Sequence, residues 1–161
     1  MKIRVLFVCM GNICRSPIAH GVFEHLVLQS GLADRIEVDS AGTHAYHVGE
    51  LPDSRARRTA KARGLDLSSQ RARHATPADL QHFDYVLVMD EDNLAHMRRL
   101  GEAGQRLHLS LLMTFAQQHQ EKEVPDPYYG GEAGFERVMD MIEDASAGLL
   151  AHIRQAHGLT D

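Results

Sequence analysis

Cysteine is scarce in this chain: 161 residues carry two, Cys9 and Cys14. Two cysteines so close together cannot staple a domain of this length, so a secreted disulfide scaffold does not fit. No apolar run approaches the roughly twenty residues of a membrane span. The apolar stretch at the N-terminus is too short for a signal peptide. A cytoplasmic protein without membrane association is expected. Positive charge is also in short supply, with 17 Lys and Arg against 22 Asp and Glu and a formal net charge of -5. That balance argues against a general nucleic-acid binder, though not against an anionic substrate held by a local field. There is no internal repeat, linker or low-complexity tract, and 43% of the residues are hydrophobic. One domain over residues 1–161 with a real core is expected. Of the 11 histidines, His44 and His47 are three apart but lack an evident third ligand, and H-E-x-x-H does not occur. Neither a metal nor another cofactor is expected.

What the chain does have is the run Cys9-Met10-Gly11-Asn12-Ile13-Cys14-Arg15-Ser16-Pro17. It follows the strand-like stretch Ile3 to Val8 and precedes the helix-like stretch Ile18 to Leu28. A tight loop from strand to helix turns its backbone N–H groups toward one point, and the helix dipole adds positive potential there. A cysteine at that point is stabilised as a thiolate. Arg15 adds a planar fork that can grip two phosphate oxygens at once. Taken singly, Cys9 could be a packed strand end and Arg15 a capping residue. The agreement of strand, loop, helix, cysteine and arginine points instead to a nucleophile facing an anion cradle. The arginines Arg55, Arg57, Arg58, Arg63, Arg71 and Arg73 read as a solvated face.

Apolar patterning predicts strands over Lys2 to Val8, Arg35 to Ser40, Tyr85 to Met89 and Arg106 to Leu109. Helices are predicted after Pro17, from Asp53 or Ser54 to Arg63, from Thr76-Pro77, and from Asp90 or Asp92 to Leu100. A short helix capped by Ser110 and a long one from Gly134 to His157 follow. Gly148 should weaken the long helix. Strands alternating with helices give an α/β fold, a doubly wound parallel sheet with helices on both faces. Its ligand should lie beyond the strands' carboxyl ends, where Cys9, Ser40 and Asp90 fall.

The loop motif, together with Val38-Asp39-Ser40-Ala41-Gly42-Thr43, Phe83-Asp84-Tyr85 to Met89-Asp90, and Asp126-Pro127-Tyr128-Tyr129, resembles the low-molecular-weight protein tyrosine phosphatases over nearly the whole chain. The resemblance implies a flavodoxin-like sheet of four parallel strands and a monomer acting on phosphotyrosine-containing proteins. It implies that Cys9 attacks phosphorus to form a phosphocysteine, and that Arg15 and the loop Met10 to Ser16 hold the phosphate oxygens. Asn12 and Ser40 would brace the loop, and Ser16 would donate to the thiolate. Asp126 would be the general acid, and then the base that activates water. Tyr46, Tyr128 and Tyr129 would wall in a phosphotyrosine ring, and Tyr128 and Tyr129 could themselves be phosphorylated. Cys14 could close a reversible disulfide with oxidised Cys9. Many relatives carry a loop-bracing histidine in the stretch Ser68-Ser69-Gln70-Arg71; here Gln70 is the candidate substitute.

Three rival readings remain. A thiol-dependent arsenate reductase needs cysteines after Cys14, and there are none. A protein arginine phosphatase tends to place threonine where Ile13 stands and lacks the paired tyrosines. A non-catalytic phosphopeptide-binding module would have lost Cys9 or Asp126.

Overall fold

A strand with an unbroken apolar run must be covered on both sides, and β1 (Ile3–Cys9), polar only at half-buried Arg4, is such a strand: Val5, Leu6, Phe7 and Val8 are fully buried. In the computed structural model, which describes residues 2–101, 108–128 and 131–159, β1 lies at the centre of a four-stranded parallel sheet. The strand order is β2 (Ile36–Gly42), β1, β3 (Tyr85–Val88), β4 (His108–Leu111). Cys9 pairs with Gly42 at one end of the β1–β2 ladder, and Val8 with Val88 on the other side.

The strand period of two sorts the core into two clusters. Val5, Phe7 and Cys9 join Tyr85 and Leu87 on the face covered by α1 (Arg15–Gln29) and α5 (Gly131–Ala156). Leu6, Val8, Val86 and Val88 turn to the opposite face, where α3 (Asp79–His82) and α4 (Glu91–Leu100) supply Leu80, Leu94 and Met97. The expected α/β doubly wound sheet with helices on both faces is therefore present. α2 (Ser54–Ala62) packs against α5. Arg63, the C-cap of α2, reaches Glu136, Asp140 and Glu143 on α5. Arg73 bridges Asp39 and Asp79. These two arginines are tied down between elements rather than forming a solvated face.

Several boundaries differ from the sequence pattern for local reasons. β2 continues past Ser40 to Gly42, because its ladder with β1 runs on to the Val8–Ala41 and Cys9–Gly42 pairs; Gly42 also donates to the Arg73 carbonyl and accepts from Ala75 N–H. Ser110 caps no helix; it lies in β4 opposite Leu87, and the turn that follows, Leu112–Phe115, is a 3-10 helix. The predicted start of β4 at Arg106 falls outside the described residues. α5 begins at Gly131, three residues before Gly134. Gly148 is no weak point: a Cβ there would lie 1.8 Å from the Phe115 carbonyl oxygen, so the bare backbone lets the 3-10 turn sit on the helix. No helix among the described residues is long and apolar enough to cross a membrane.

Candidate active site

The order β2-β1-β3-β4 makes the chain leave β1 on one side and return on the other, so a crevice opens beyond the carboxyl ends of β1 and β3. The loop from Cys9 to Arg15 fills its floor. Asn12 holds the left-handed conformation, φ 57°, which asparagine tolerates better than most residues. Three hydrogen bonds hold it there. Its Oδ1 accepts from Arg73 N–H at 3.0 Å, and its Nδ2 donates to Ser16 Oγ at 2.8 Å and to Ser40 Oγ at 3.1 Å.

The loop carbonyls face outward partners. Cys9 O accepts from Thr43 N, Met10 O from His44 N, and Ile13 O from Asp53 N. Among the described residues, nothing accepts from the N–H groups of Gly11–Cys14. An unpaired run of amides at the start of α1, whose N-cap Cys14 makes no side-chain cap, is the inventory of an anion-binding nest. Gly42 allows the close approach behind it, since a Cβ there would lie 2.8 Å from the Met10 carbonyl oxygen.

Cys9 is buried, and its Sγ lies 3.0 Å from Ser16 Oγ. Arg15 is 2% exposed and firmly anchored. Its Nη1 donates to Asp90 Oδ2 at 2.6 Å and to the Val124 carbonyl at 3.0 Å. Its Nη2 lies 3.9 Å from Asp126 Oδ2. Burial works against the Arg15 charge, but Cys9, Asp90 and Asp126 outweigh it and hold the guanidinium above its ordinary value. Val124 in turn donates to the Met89 carbonyl, which ties the segment carrying Asp126 to the end of β3. Asp126 closes a turn by accepting from Tyr128 N–H at 3.0 Å and keeps its side chain 37% exposed.

Burial, reinforced by the negative fields of Asp53, Cys9 and Asp126, pushes the Cys14 thiol well above the usual range. Cys14 is therefore held as a protonated thiol beside the loop.

Cys9, Arg15 and Asp126 border one cleft of about 220 Å³. Its upper walls are Tyr46, which stacks on His44 at 5.1 Å, and Tyr128, which lies under the Arg55 guanidinium at 5.4 Å. Met10, Gly11, Ile13 and Cys14 complete the floor. Ser16 and Ser40 sit behind it within the Asn12 network. Gln70 reaches Ser40 at 3.5 Å and anchors to the Pro17 carbonyl. Tyr129 lies outside the described residues. Sequence reasoning missed Asp90 as the partner of Arg15, His47 in the cleft wall, and His20, whose Nδ1 lies 3.3 Å from Ser40. The position of Asp90 at a strand's carboxyl end was the available signal for the first. His20 gave none, being one polar residue on an amphipathic helix.

The model of the low molecular weight phosphotyrosine protein phosphatase family matches residues 4–158. A low molecular weight phosphotyrosine protein phosphatase of Schizosaccharomyces pombe is 41% identical, over 94% of this chain and 97% of its own. Among solved structures, a protein tyrosine phosphatase from Entamoeba histolytica with Hepes in its active site superposes with a TM-score of 0.89 at 38% identity, covering 99% of this chain and 100% of that one. A Drosophila arginine phosphatase superposes with a TM-score of 0.87 at 31% identity, covering 96% and 98%.

Proposed function

The chain belongs to the low molecular weight phosphotyrosine protein phosphatase family and is a hydrolase of phosphoric monoesters; from that premise we propose that it hydrolyses phosphotyrosine in proteins through a phosphocysteine intermediate, with Asp126 as general acid. The observation that carries the reading is the single cleft on which Cys9 Sγ, the Arg15 guanidinium and the Asp126 carboxyl group converge.

In the first step the Cys9 thiolate attacks phosphorus, and the bond from phosphorus to the tyrosyl oxygen breaks. Asp126 gives its proton to that oxygen, so tyrosine leaves neutral. The equatorial oxygens lie on the loop amides of Met10 to Ser16 and on Arg15, which offset their charge as the transition state forms. The Ser16 hydroxyl, 3.0 Å from the sulfur, stabilises the thiolate as nucleophile and again as leaving group. In the second step Asp126, now a carboxylate, takes a proton from water as that water attacks phosphorus. The sulfur–phosphorus bond breaks, and phosphate and the thiolate are released. The positive charge this chemistry needs comes from Arg15 and backbone dipoles.

Replacing Cys9 by Ser is expected to abolish turnover of p-nitrophenyl phosphate. Asp126→Ala should lower kcat/KM, which reports the first step alone, by about 10² or more for a phosphotyrosyl peptide. It should lower kcat/KM for p-nitrophenyl phosphate far less, because that phenolate leaves without a proton. Equal loss of kcat/KM on both substrates would remove Asp126 from the acid's role, whereas loss of the base in the second step lowers kcat for both.

The likeness to an arginine phosphatase makes phosphoarginine the second substrate to consider. The apolar Ile13 at the cleft favours an uncharged phenyl ring over a guanidinium, whose polar N–H groups it cannot pair. Side-by-side kcat/KM values on phosphotyrosyl and phosphoarginyl peptides decide between them, and a phosphoarginine preference would overturn the tyrosine assignment. An arsenate reductase relay lacks its outward cysteines, and a pure binding module would not need the Asp126 turn. The two buried, unpaired cysteines favour a reducing compartment, in keeping with a cytoplasmic location. The trapping variants Cys9→Ser and Asp126→Ala, incubated with lysate, are the route to the physiological phosphoprotein.

A further inference from the structure

Behind the catalytic cleft, on the far side of Ser40, lies a second and more polar cavity of about 400 Å³. Its charged and titratable lining is His20, Glu24 and His25 from α1, Asp39 from β2, and Asp66 and Arg71 from the segment after α2. One of these groups touches the hydrogen-bond network of the nucleophile. His20 Nδ1 lies 3.3 Å from Ser40 Oγ, while its Nε2 lies 3.4 Å from Glu24 Oε2. Asp39 is engaged by Arg73 and by Ser40 N–H. Asp66 accepts from Ser68, and Arg71 donates to the Ser68 and Gln70 carbonyls. Among the described residues, His20 is thus the cavity's only titratable side chain bonded to the Ser40 hydroxyl.

A count of protons fixes the direction of each bond in this chain. The Asn12 amide has two N–H donors; one goes to Ser16 Oγ and the other to Ser40 Oγ. Ser16 therefore accepts from Asn12 and keeps its own proton for the Cys9 sulfur at 3.0 Å, a nearer partner than the Ala41 carbonyl at 3.4 Å. Ser40 likewise accepts from Asn12 and has one proton to give, with two claimants: Gln70 Oε1 at 3.5 Å and His20 Nδ1 at 3.3 Å. Neutral His20 with its proton on Nε2, toward Glu24, presents a bare Nδ1 and takes that proton. Imidazolium His20 has an N–H at Nδ1, donates to Ser40, and sends the Ser40 proton to Gln70. Gln70 is held ready by its own donation to the Pro17 carbonyl at 3.0 Å. Gain of one proton from solvent thus reverses one hydrogen bond and places a cationic donor at the far end of the chain that ends on sulfur.

We propose that His20 is a positioning residue for the nucleophile loop, and that gain or loss of its proton reaches Cys9 through Ser40, Asn12 and Ser16. The inference rests on the assignment of Cys9 as the nucleophile. Its consequence is a second titration in the thiolate's reactivity, governed from outside the catalytic cleft. The imidazolium favours the thiolate, and the neutral ring favours it less. By reciprocity the thiolate must favour the imidazolium equally.

The rate of Cys9 alkylation by iodoacetamide, followed against pH, reads the effect without any phosphate ester. The parent should show an inflection in the imidazole range beyond that of the thiol itself. His20→Ala should lose the inflection and, at pH values below it, where the parent's ring is cationic, alkylate roughly three- to tenfold more slowly. His20→Asn, whose amide N–H stands where Nδ1 does, should also lose the inflection yet recover most of that rate. Superposable profiles for the three folded proteins would overturn the proposal. A second measurement serves even if the variants fold poorly. The His20 imidazole resonance, titrated by NMR, should have a lower midpoint in Cys9→Ser than in the parent, and an unchanged midpoint would overturn the proposal as surely. A protein that passes both tests but does not turn over p-nitrophenyl phosphate would retain the His20 coupling and sink the phosphocysteine mechanism.

Discussion

Asp90 carries two duties on its two oxygens. Oδ1 accepts from Asn93 N–H at 2.8 Å and caps α4, while Oδ2 takes Arg15 Nη1 at 2.6 Å. The two duties can be separated by substitution. Asp90→Asn keeps an acceptor for the cap but removes the charge opposite a buried guanidinium. Both Asp90→Asn and Asp90→Ala leave the buried guanidinium without its counter-charge, but Asp90→Asn should melt roughly 2–4 °C above Asp90→Ala, a cap loss of ~1 kcal/mol being avoided. The kcat/KM of Asp90→Asn should nevertheless fall by about ten- to a hundredfold, because a displaced Arg15 loses its aim at the transition state. Asp90→Ala should lose both. Equal melting temperatures for the two variants would deny Asp90 its capping role, and unchanged kcat/KM in Asp90→Asn would deny it the hold on Arg15. Cys14 has a separate prediction. Cys14 stands in the wall of the same cleft; as its thiol proton passes to the departing oxygen, its sulfur attacks a Cys9 sulfenic acid formed by peroxide, the S–O bond breaks, water leaves, and a disulfide closes before further oxidation. After peroxide and then excess thiol, the parent should recover most of its activity and Cys14→Ser much less. Full recovery by Cys14→Ser would remove the resolving role.

At the scale of elements, packing sets what local propensity does not. Gly148 in mid-helix reads as a defect on propensity alone, costing up to about 1 kcal/mol relative to alanine. In the fold it is where α5 meets the 3-10 turn, with a hypothetical Cβ 1.8 Å from the backbone oxygen of Phe115. A backbone atom cannot move aside as a side-chain end can. Gly148→Ala is therefore expected to destabilise by about 3 kcal/mol despite the better helix former, lowering Tm by roughly 6–12 °C. Gly21→Ala is the control: its Cβ would meet only the flexible end of Leu67, at 2.5 Å, and should cost less. If Gly148→Ala melts at or above the parent, the close approach is not what that glycine serves. The strands β1 and β3 were legible because burial on both faces writes a continuous apolar run. The end of β2 was not, because Ala41 and Gly42 are held in the strand by pairing with Val8 and Cys9 of β1, distant in sequence, rather than by any apolar pattern of their own. Ser110 misled for a related reason: serine favours caps, but its pairing opposite Leu87 is decided by the sheet.

Across the whole molecule, the residues that could be named from sequence are those whose chemistry is local to one loop: Cys9, Asn12, Arg15 and Ser16, with Asp126 added by its resemblance to a known turn. The partners Asp90 and His20 escaped notice because a lone aspartate or histidine acquires meaning only from what the fold brings beside it, Arg15 in one case and Ser40 in the other. The same gathering bears on how the chain unfolds. The two core clusters lie on opposite faces of one sheet and share β1 and β3. The cleft takes Cys9 from β1, Arg15 from α1 on one face, and Asp126 from a segment tied to β3. Neither face can melt without dismantling strands that the other needs. We therefore propose one cooperative domain, so that thermal unfolding followed by far-UV and near-UV dichroism gives coincident transitions. On the proposed function, inorganic phosphate should bind the native loop and not the unfolded chain. At a hundred times its Kd it should stabilise by about 2.7 kcal/mol, raising Tm by roughly 5–11 °C, and both probes should shift together. In Arg15→Ala the phosphate shift should vanish while the transitions stay coincident. Two separated transitions, with phosphate moving only one, would mean that the faces fold as independent units and that the cleft belongs to one of them alone.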